Sequence, residues 1–186
     1  MSTDTAIIAV VGMPGAGKSI ASDFFRERKI PILRFGDQTD IGLQEHGLER
    51  NEKNERWYRE KLRKELGMAA MAIKIEPRIR RIEDEHHVIV LDGLYSWEEY
   101  IYLEKKFPNL TLLCIYAPPA IRHERLVSRN VRPLTKEEAK NRDVAELENL
   151  NKGGPIAVAH YLIKNETTPE DFQKELDMFY RFYCAS

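Results

Sequence analysis

Residues 12–19 read GMPGAGKS and follow the apolar run AIIAVV at 6–11. Gly12, four residues, then Gly17-Lys18-Ser19 is the spacing of a phosphate-binding loop. Glycines at 12, 15 and 17 let the chain wrap tightly and turn successive N–H groups toward an anion. A helix opening at Lys18 adds its positive end. The Lys18 ammonium can reach the outer phosphates, and the Ser19 hydroxyl can ligate Mg²⁺. A second group of chemistry-bearing residues lies far downstream: Arg122, Arg125, Arg129, Arg132 and Arg142 all fall within 122–143. Spacings of three and four put Arg122, Arg125 and Arg129 near one helical face. Phosphoryl transfer needs positive charge fixed around three equatorial oxygens, and arginine supplies forked donors for it. Carried on a segment that closes over the site, such arginines also exclude water. Together the two groups follow the logic of a small-molecule kinase.

The elements that must position these residues alternate between strand and helix. Ala6–Val11 is continuously apolar, as a strand covered on both faces should be. Lys18–Arg28 follows as a helix with Ile20, Ala21, Phe24 and Phe25 on its inner side. Further strands are read at Ile30–Phe35, Val88–Leu91, Leu110–Tyr116 and Tyr161–Ile163. Ser96-Trp97-Glu98-Glu99 and Thr135-Lys136-Glu137-Glu138 are capping-box helix starts, and Thr168-Pro169 opens the last helix. This alternation predicts an α/β fold, a parallel sheet with helices on both faces. Asn54–Glu83 is a long helical stretch rich in paired charges, with stripes at Tyr58, Leu62 and Leu66 and at Ala72, Ile75, Ile79 and Ile82. A kink is expected at Pro77.

Composition narrows the partners. The 186 residues suit one domain, and 42% hydrophobic with 32% charged residues describes an ordinary globular chain. A net charge of −1 gives no electrostatic case for a nucleic acid polymer or a membrane surface. No membrane-length apolar run or signal-peptide pattern is read, and Cys114 and Cys184 lack metal-like spacing, so a cytoplasmic location with free thiols is expected. The five histidines show no zinc-like spacing. A GTPase reading fails at Asn151-Lys152-Gly153-Gly154, which lacks an aspartate for guanine.

GMPGAGKS, the second strand ending in Gly36-Asp37, LDG at 91–93 and RHERLVSRN at 122–130 together resemble P-loop kinases of the nucleoside-monophosphate-kinase group. AHYLIKNE at 159–166 resembles the final-strand signature of dephospho-coenzyme A kinases, and the nearest likeness is to a family of dephospho-coenzyme-A-kinase-like P-loop proteins. It spans roughly residues 6–180. The resemblance implies a three-layer P-loop fold with a five-stranded parallel sheet in the order 2-3-1-4-5. It also implies one domain, with a helical acceptor insertion over about 38–85 and a lid over about 125–143. ATP and Mg²⁺ would be the cofactors and a small nucleotide-like molecule the acceptor. Gly12, Gly15, Ala16, Gly17, Lys18, Ser19 and Ile20 would hold the nucleotide phosphates. Arg125 would cover the adenine and Asn165 line it, while Asp92 with Ser19 would organise Mg²⁺. Arg129 and Arg142 would clamp the transferring phosphate beside Lys18. Asp37 matches the acid beside the acceptor hydroxyl, although aspartate at such a turn also serves as a cap.

Three departures from the family pattern bear on the acceptor. Leu94-Tyr95 follows the Asp-Gly turn where an arginine is common, His160 stands where aspartate is usual, and SRNVR at 128–132 lacks the usual lid spacing. A different class, a nucleotide-binding regulator or slow ATPase acting on a protein partner, is separated from a kinase by turnover across a panel of acceptors.

Overall fold

A computed structural model of the chain describes residues 5–184. Five parallel strands form one sheet in the order β2-β3-β1-β4-β5. They are β1 (Ala6–Val11), β2 (Ile32–Arg34), β3 (Val88–Asp92), β4 (Leu110–Tyr116) and β5 (Tyr161–Lys164). The expected order is the observed one. β1 lies in the middle, with Val10 opposite Asp92 on one side and Leu113 on the other.

Strand alternation divides the core in two. Ile7, Ala9, Val11, Leu91 and Leu112 face one way; Ile8, Val10, Val90, Leu113 and Ile115 face the other. The second face is covered by α1 (Lys18–Glu27) and α9 (Pro169–Tyr183), through Phe24, Phe25, Phe172, Leu176 and Phe179. Aromatic and branched side chains removed from water on both faces make this sheet the main source of stability. The first face receives α2 (Asp37–Glu45), α3 (Glu52–Leu66), α4 (Ala70–Ile82) and α5 (Trp97–Lys106), through Leu43, Tyr58, Leu62, Ile75, Ile79 and Leu103. Beyond β4 come α6 (Pro119–Ser128), α7 (Lys136–Glu148) and α8 (Gly153–Ala157).

The helical stretch after Asn54 is two helices, with Pro77 inside α4. It breaks at Gly67, whose φ of 77° ends α3 with its N–H on the Arg63 carbonyl at 2.9 Å. Glycine takes that left-handed conformation without the penalty other residues carry. Asp37 does not merely end the second strand: it is the first residue of α2, a helix whose buried face is Gln38, Thr39, Gly42 and Leu43. That face is too polar to betray itself by periodicity. The capping boxes at Ser96/Glu99 and Thr135/Glu138 are both formed. The lid boundary expected at residue 143 falls inside α7, which runs on to Glu148.

Candidate active site

The loop between β1 and α1 sits where the C-terminal ends of β1, β3 and β4 meet, the edge at which parallel sheets bind ligands. Gly17 has a φ of 107°, and a Cβ there would overlap the Asn165 amide, so both the backbone and the close approach require glycine. Asn165, which follows β5 and is buried, donates from Nδ2 to the Ala16 carbonyl at 2.8 Å. Its Oδ1 accepts from Arg125 Nη2 at 3.2 Å. Arg125 and Asn165 thus share one cavity of about 170 Å³ with Gly17, Ile20, Pro169 and Phe172. Arg125 Nη1 is buried without a hydrogen-bond partner among the described residues. A flat apolar slot with an arginine on its wall suits an aromatic base.

Lys18 opens α1 and its Nζ donates back to the Met13 carbonyl at 3.0 Å. Burial and then the charge of Lys152 push its pKa down to about 7, with Arg142 adding to the fall and Glu146 and Asp92 opposing it. Ser19 is exposed on the first turn of α1. Asp92 emerges at the end of β3 with Arg34 Nε 3.5 Å from its carboxylate. Burial raises its pKa against the pull of Arg34 and Lys18. Among the described residues no three His, Cys, Asp or Glu side chains cluster as a self-sufficient metal cage. One carboxylate and one hydroxyl beside a phosphate loop is nonetheless the oxygen-donor set that Mg²⁺ takes when it arrives with a nucleotide. Ser19 and Asp92 therefore fit that ion.

The arginines separate by role. Arg122 is buried in a fixed joint: its Nε donates to the Ala117 carbonyl at 3.0 Å and its Nη1 to the Pro14 carbonyl at 3.0 Å. It also grips Asp143 through two bonds of 2.8 and 2.7 Å. One guanidinium thus ties the phosphate loop to the end of β4 and to α7. Arg142 pairs with Glu146 at 3.6 Å and shares the electrostatic neighbourhood of Lys18. Arg129 donates from Nε to the Arg132 carbonyl at 2.8 Å. Partial burial and then the charges of Arg142 and Arg132 lower its pKa.

Asp37 is not part of this group. It faces a second cavity of about 220 Å³ and pairs with Arg78 of α4 at 3.4 Å. The walls carry Arg34, Arg50, Arg59 and Arg63 together with Tyr95 and Glu99. Arg50 is neutralised by Asp40 and Glu55, both at 3.2 Å, and Arg59 by Glu55 at 3.3 Å. Arg63 forms no ion pair among the described residues. Glu99, 4% exposed, accepts from the Tyr95 and Ser96 backbone N–H groups at 2.8 and 3.1 Å, yet burial raises its pKa to about 7. Sequence reading missed Arg34, Arg59, Arg63 and Tyr95. The Arg59/Arg63 spacing, one helical turn beside the Tyr58/Leu62 stripe, was the signal that could have found two of them.

Residues 8–148 match the family model described as an AAA domain. A UPF0200 protein of Pyrococcus abyssi is 33% identical over 179 residues, covering 94% of this chain and 95% of that protein. A shikimate kinase from Bacteroides thetaiotaomicron has a similar structure, with a TM-score of 0.58 at 13% identity over 95% of this chain and 97% of that one. A gluconokinase from Sinorhizobium meliloti gives 0.55 at 17% identity, over 98% and 95%. At such identities the likeness to these two structures is one of fold. The sequence matches go further: the chain belongs to the UPF0200 family and carries an AAA domain.

Proposed function

We propose that this protein is an ATP-dependent kinase of a small anionic, nucleotide-like acceptor such as a nucleoside monophosphate or dephospho-coenzyme A. The observation that carries the reading is a pair of cavities, one lined by Gly17 next to Lys18 in the chain and the other by Arg34, the partner of Asp92. One is an apolar slot reached through Gly17, Arg125 and Asn165; the other is a basic pocket reached through Arg34, whose guanidinium lies against Asp92. The kinases among proteins of this fold support it. Arg63, without a carboxylate partner, is the charge best placed to hold an acceptor anion, and arginine's fork matches a phosphate or carboxylate.

In transfer, an acceptor oxygen bonds to the γ-phosphorus as the bond from that phosphorus to the β,γ-bridging oxygen breaks, leaving the electron pair on ADP. Lys18, with Arg142 and Arg129 on the lid, balances the charge on the oxygens in flight. Ser19 and Asp92 would hold Mg²⁺, which would supply neutralisation of charge on the nucleotide phosphates. Where the acceptor group is a hydroxyl, its proton passes to the Asp37 carboxylate; an acceptor phosphate is already ionised and needs no base.

The test is ADP release across dephospho-coenzyme A, nucleoside monophosphates and uncharged nucleosides. Release should require an anionic acceptor, and Arg63→Ala should raise the acceptor KM with little change in the KM for ATP. ADP release that ignores every acceptor would replace the kinase with a slow ATPase or regulator.

A further inference from the structure

Lys152 is the least exposed lysine or arginine among the described residues, at 2% exposure, in a turn that the phosphate-loop pattern does not include. Its ammonium lies 4.2 Å from the centre of the Tyr95 ring and pairs with Glu146. Burying a lysine with one carboxylate contributes little to stability, and an apolar side chain of the same length would serve a core as well or better. The neighbours are those of a phosphate site. Glu146 also pairs with Arg142 at 3.6 Å, and Tyr95 stands three residues beyond Asp92. Lys152 exerts the strongest charge effect on Lys18, and Glu146 the next. Geometry ties the pair to the phosphate loop: Asp143, three residues before Glu146 on α7, is bonded to Arg122, whose Nη1 donates to the Pro14 carbonyl at 3.0 Å.

The buried pair joins the end of α7 to the turn that follows it: the Lys152 N–H also donates to the Glu146 carbonyl at 3.3 Å. The turn that carries Lys152 is held to α5 as well: Asn151 Nδ2 donates to Glu98 Oε1 at 2.9 Å, and Gly154 packs so tightly that a Cβ there would lie 2.6 Å from the Trp97 ring. Glu146 belongs to the last turns of α7, the helix that carries Arg142 and Asp143. Exchange therefore needs only the Glu146 side chain to swing off the ammonium, with the backbone link between the two residues kept.

We propose that Lys152 is a second phosphoryl-binding lysine, and that it exchanges the Glu146 carboxylate for the γ-phosphoryl oxygens of the bound nucleotide. Glu146 is then a resident anion competing for the same ammonium. The γ-phosphate discrimination stands on nucleotide binding alone; only its consequence for turnover rests on the kinase reading above.

The experiment compares affinities for ADP and for a non-hydrolysable ATP analogue with an imido β,γ bridge, in Mg²⁺, by calorimetry. Lys152→Met should weaken the triphosphate analogue about 10- to 100-fold, the effect of one charge-assisted hydrogen bond, and leave ADP within about twofold. Glu146→Gln should tighten the analogue severalfold without moving ADP. The double variant Lys152→Met/Glu146→Gln removes the stranded carboxylate and should keep the loss seen with Lys152→Met. Equal effects on both ligands, or none, in a folded Lys152→Met or double variant would overturn the proposal. So would a Glu146→Gln protein, which retains Lys152, with an unchanged ratio. A wild-type protein that binds both ligands but phosphorylates no acceptor would defeat the kinase reading and leave this ratio to be judged on its own.

Discussion

Glu99→Gln should make the protein more stable at pH 8 relative to wild type than at pH 5. The Glu99 carboxyl is 4% exposed at the wall of the basic cavity, and burial raises its pKa from 4.5 to about 7 despite two backbone N–H donors and the charges of Arg63 and Lys152. The folded protein therefore holds a proton that the unfolded chain has released between these values. The stability this proton contributes is fully present below pH 4.5 and is lost as pH rises to 7. The difference in pKa corresponds to about 3 kcal/mol. Glutamine keeps the capping-box acceptor for Tyr95 and Ser96 but carries no titration. Urea unfolding of both proteins at pH 5, 6, 7 and 8 isolates the effect, because every other titrating group is common to the two. The gap should move by up to about 3 kcal/mol in favour of the variant between the ends of the series. Parallel curves would show that Glu99 ionises as an ordinary surface carboxylate, and the reasoning from its burial would fail.

Lys18→Ala should keep the fold and lower phosphoryl transfer by at least about 100-fold in a coupled ADP assay, since it removes charge at the transferring group. Arg125→Ala should mainly weaken nucleotide binding, read as a higher Kd for ADP with turnover at saturation little changed. Arg122→Ala should cost about 3 kcal/mol in urea unfolding, because it leaves the Asp143 carboxylate with His123 alone and frees two carbonyls that it now satisfies. Arg122→Lys should recover little of that, a point charge being unable to serve three partners in a fork.

The sheet was legible because β1, β3 and β4 are apolar on both faces and each ends in a turn residue, a pattern that only a covered parallel sheet explains. Gly12 through Ser19 were legible because their spacing is local and complete. The second cavity was not. α2 buries glutamine, threonine and glycine beside a single leucine, so no periodic stripe announced a helix at Asp37. The partner of Asp37, Arg78, lies on a different helix, and only the packing of α2 on α4 brings the two together. Lys152 was read for the guanine contact its turn could not make. Its burial depends on Tyr95 and Glu146 meeting it from the segment before α5 and from α7, a fact no local window contains.

The central place of β1 sets a timetable for synthesis. Both neighbours come later in the chain, β3 ending at Asp92 and β4 at Tyr116. At about 5–20 residues per second a ribosome takes roughly 5–20 s to deliver them after β1 has been made. Throughout that interval AIIAVV lacks at least one of its two neighbouring strands, so a backbone edge of an apolar strand stays unpaired. The strand that aims the phosphate loop is thus the segment in greatest need of a chaperone on the nascent chain. Any fragment that stops short of β4 leaves one of its edges open to other chains.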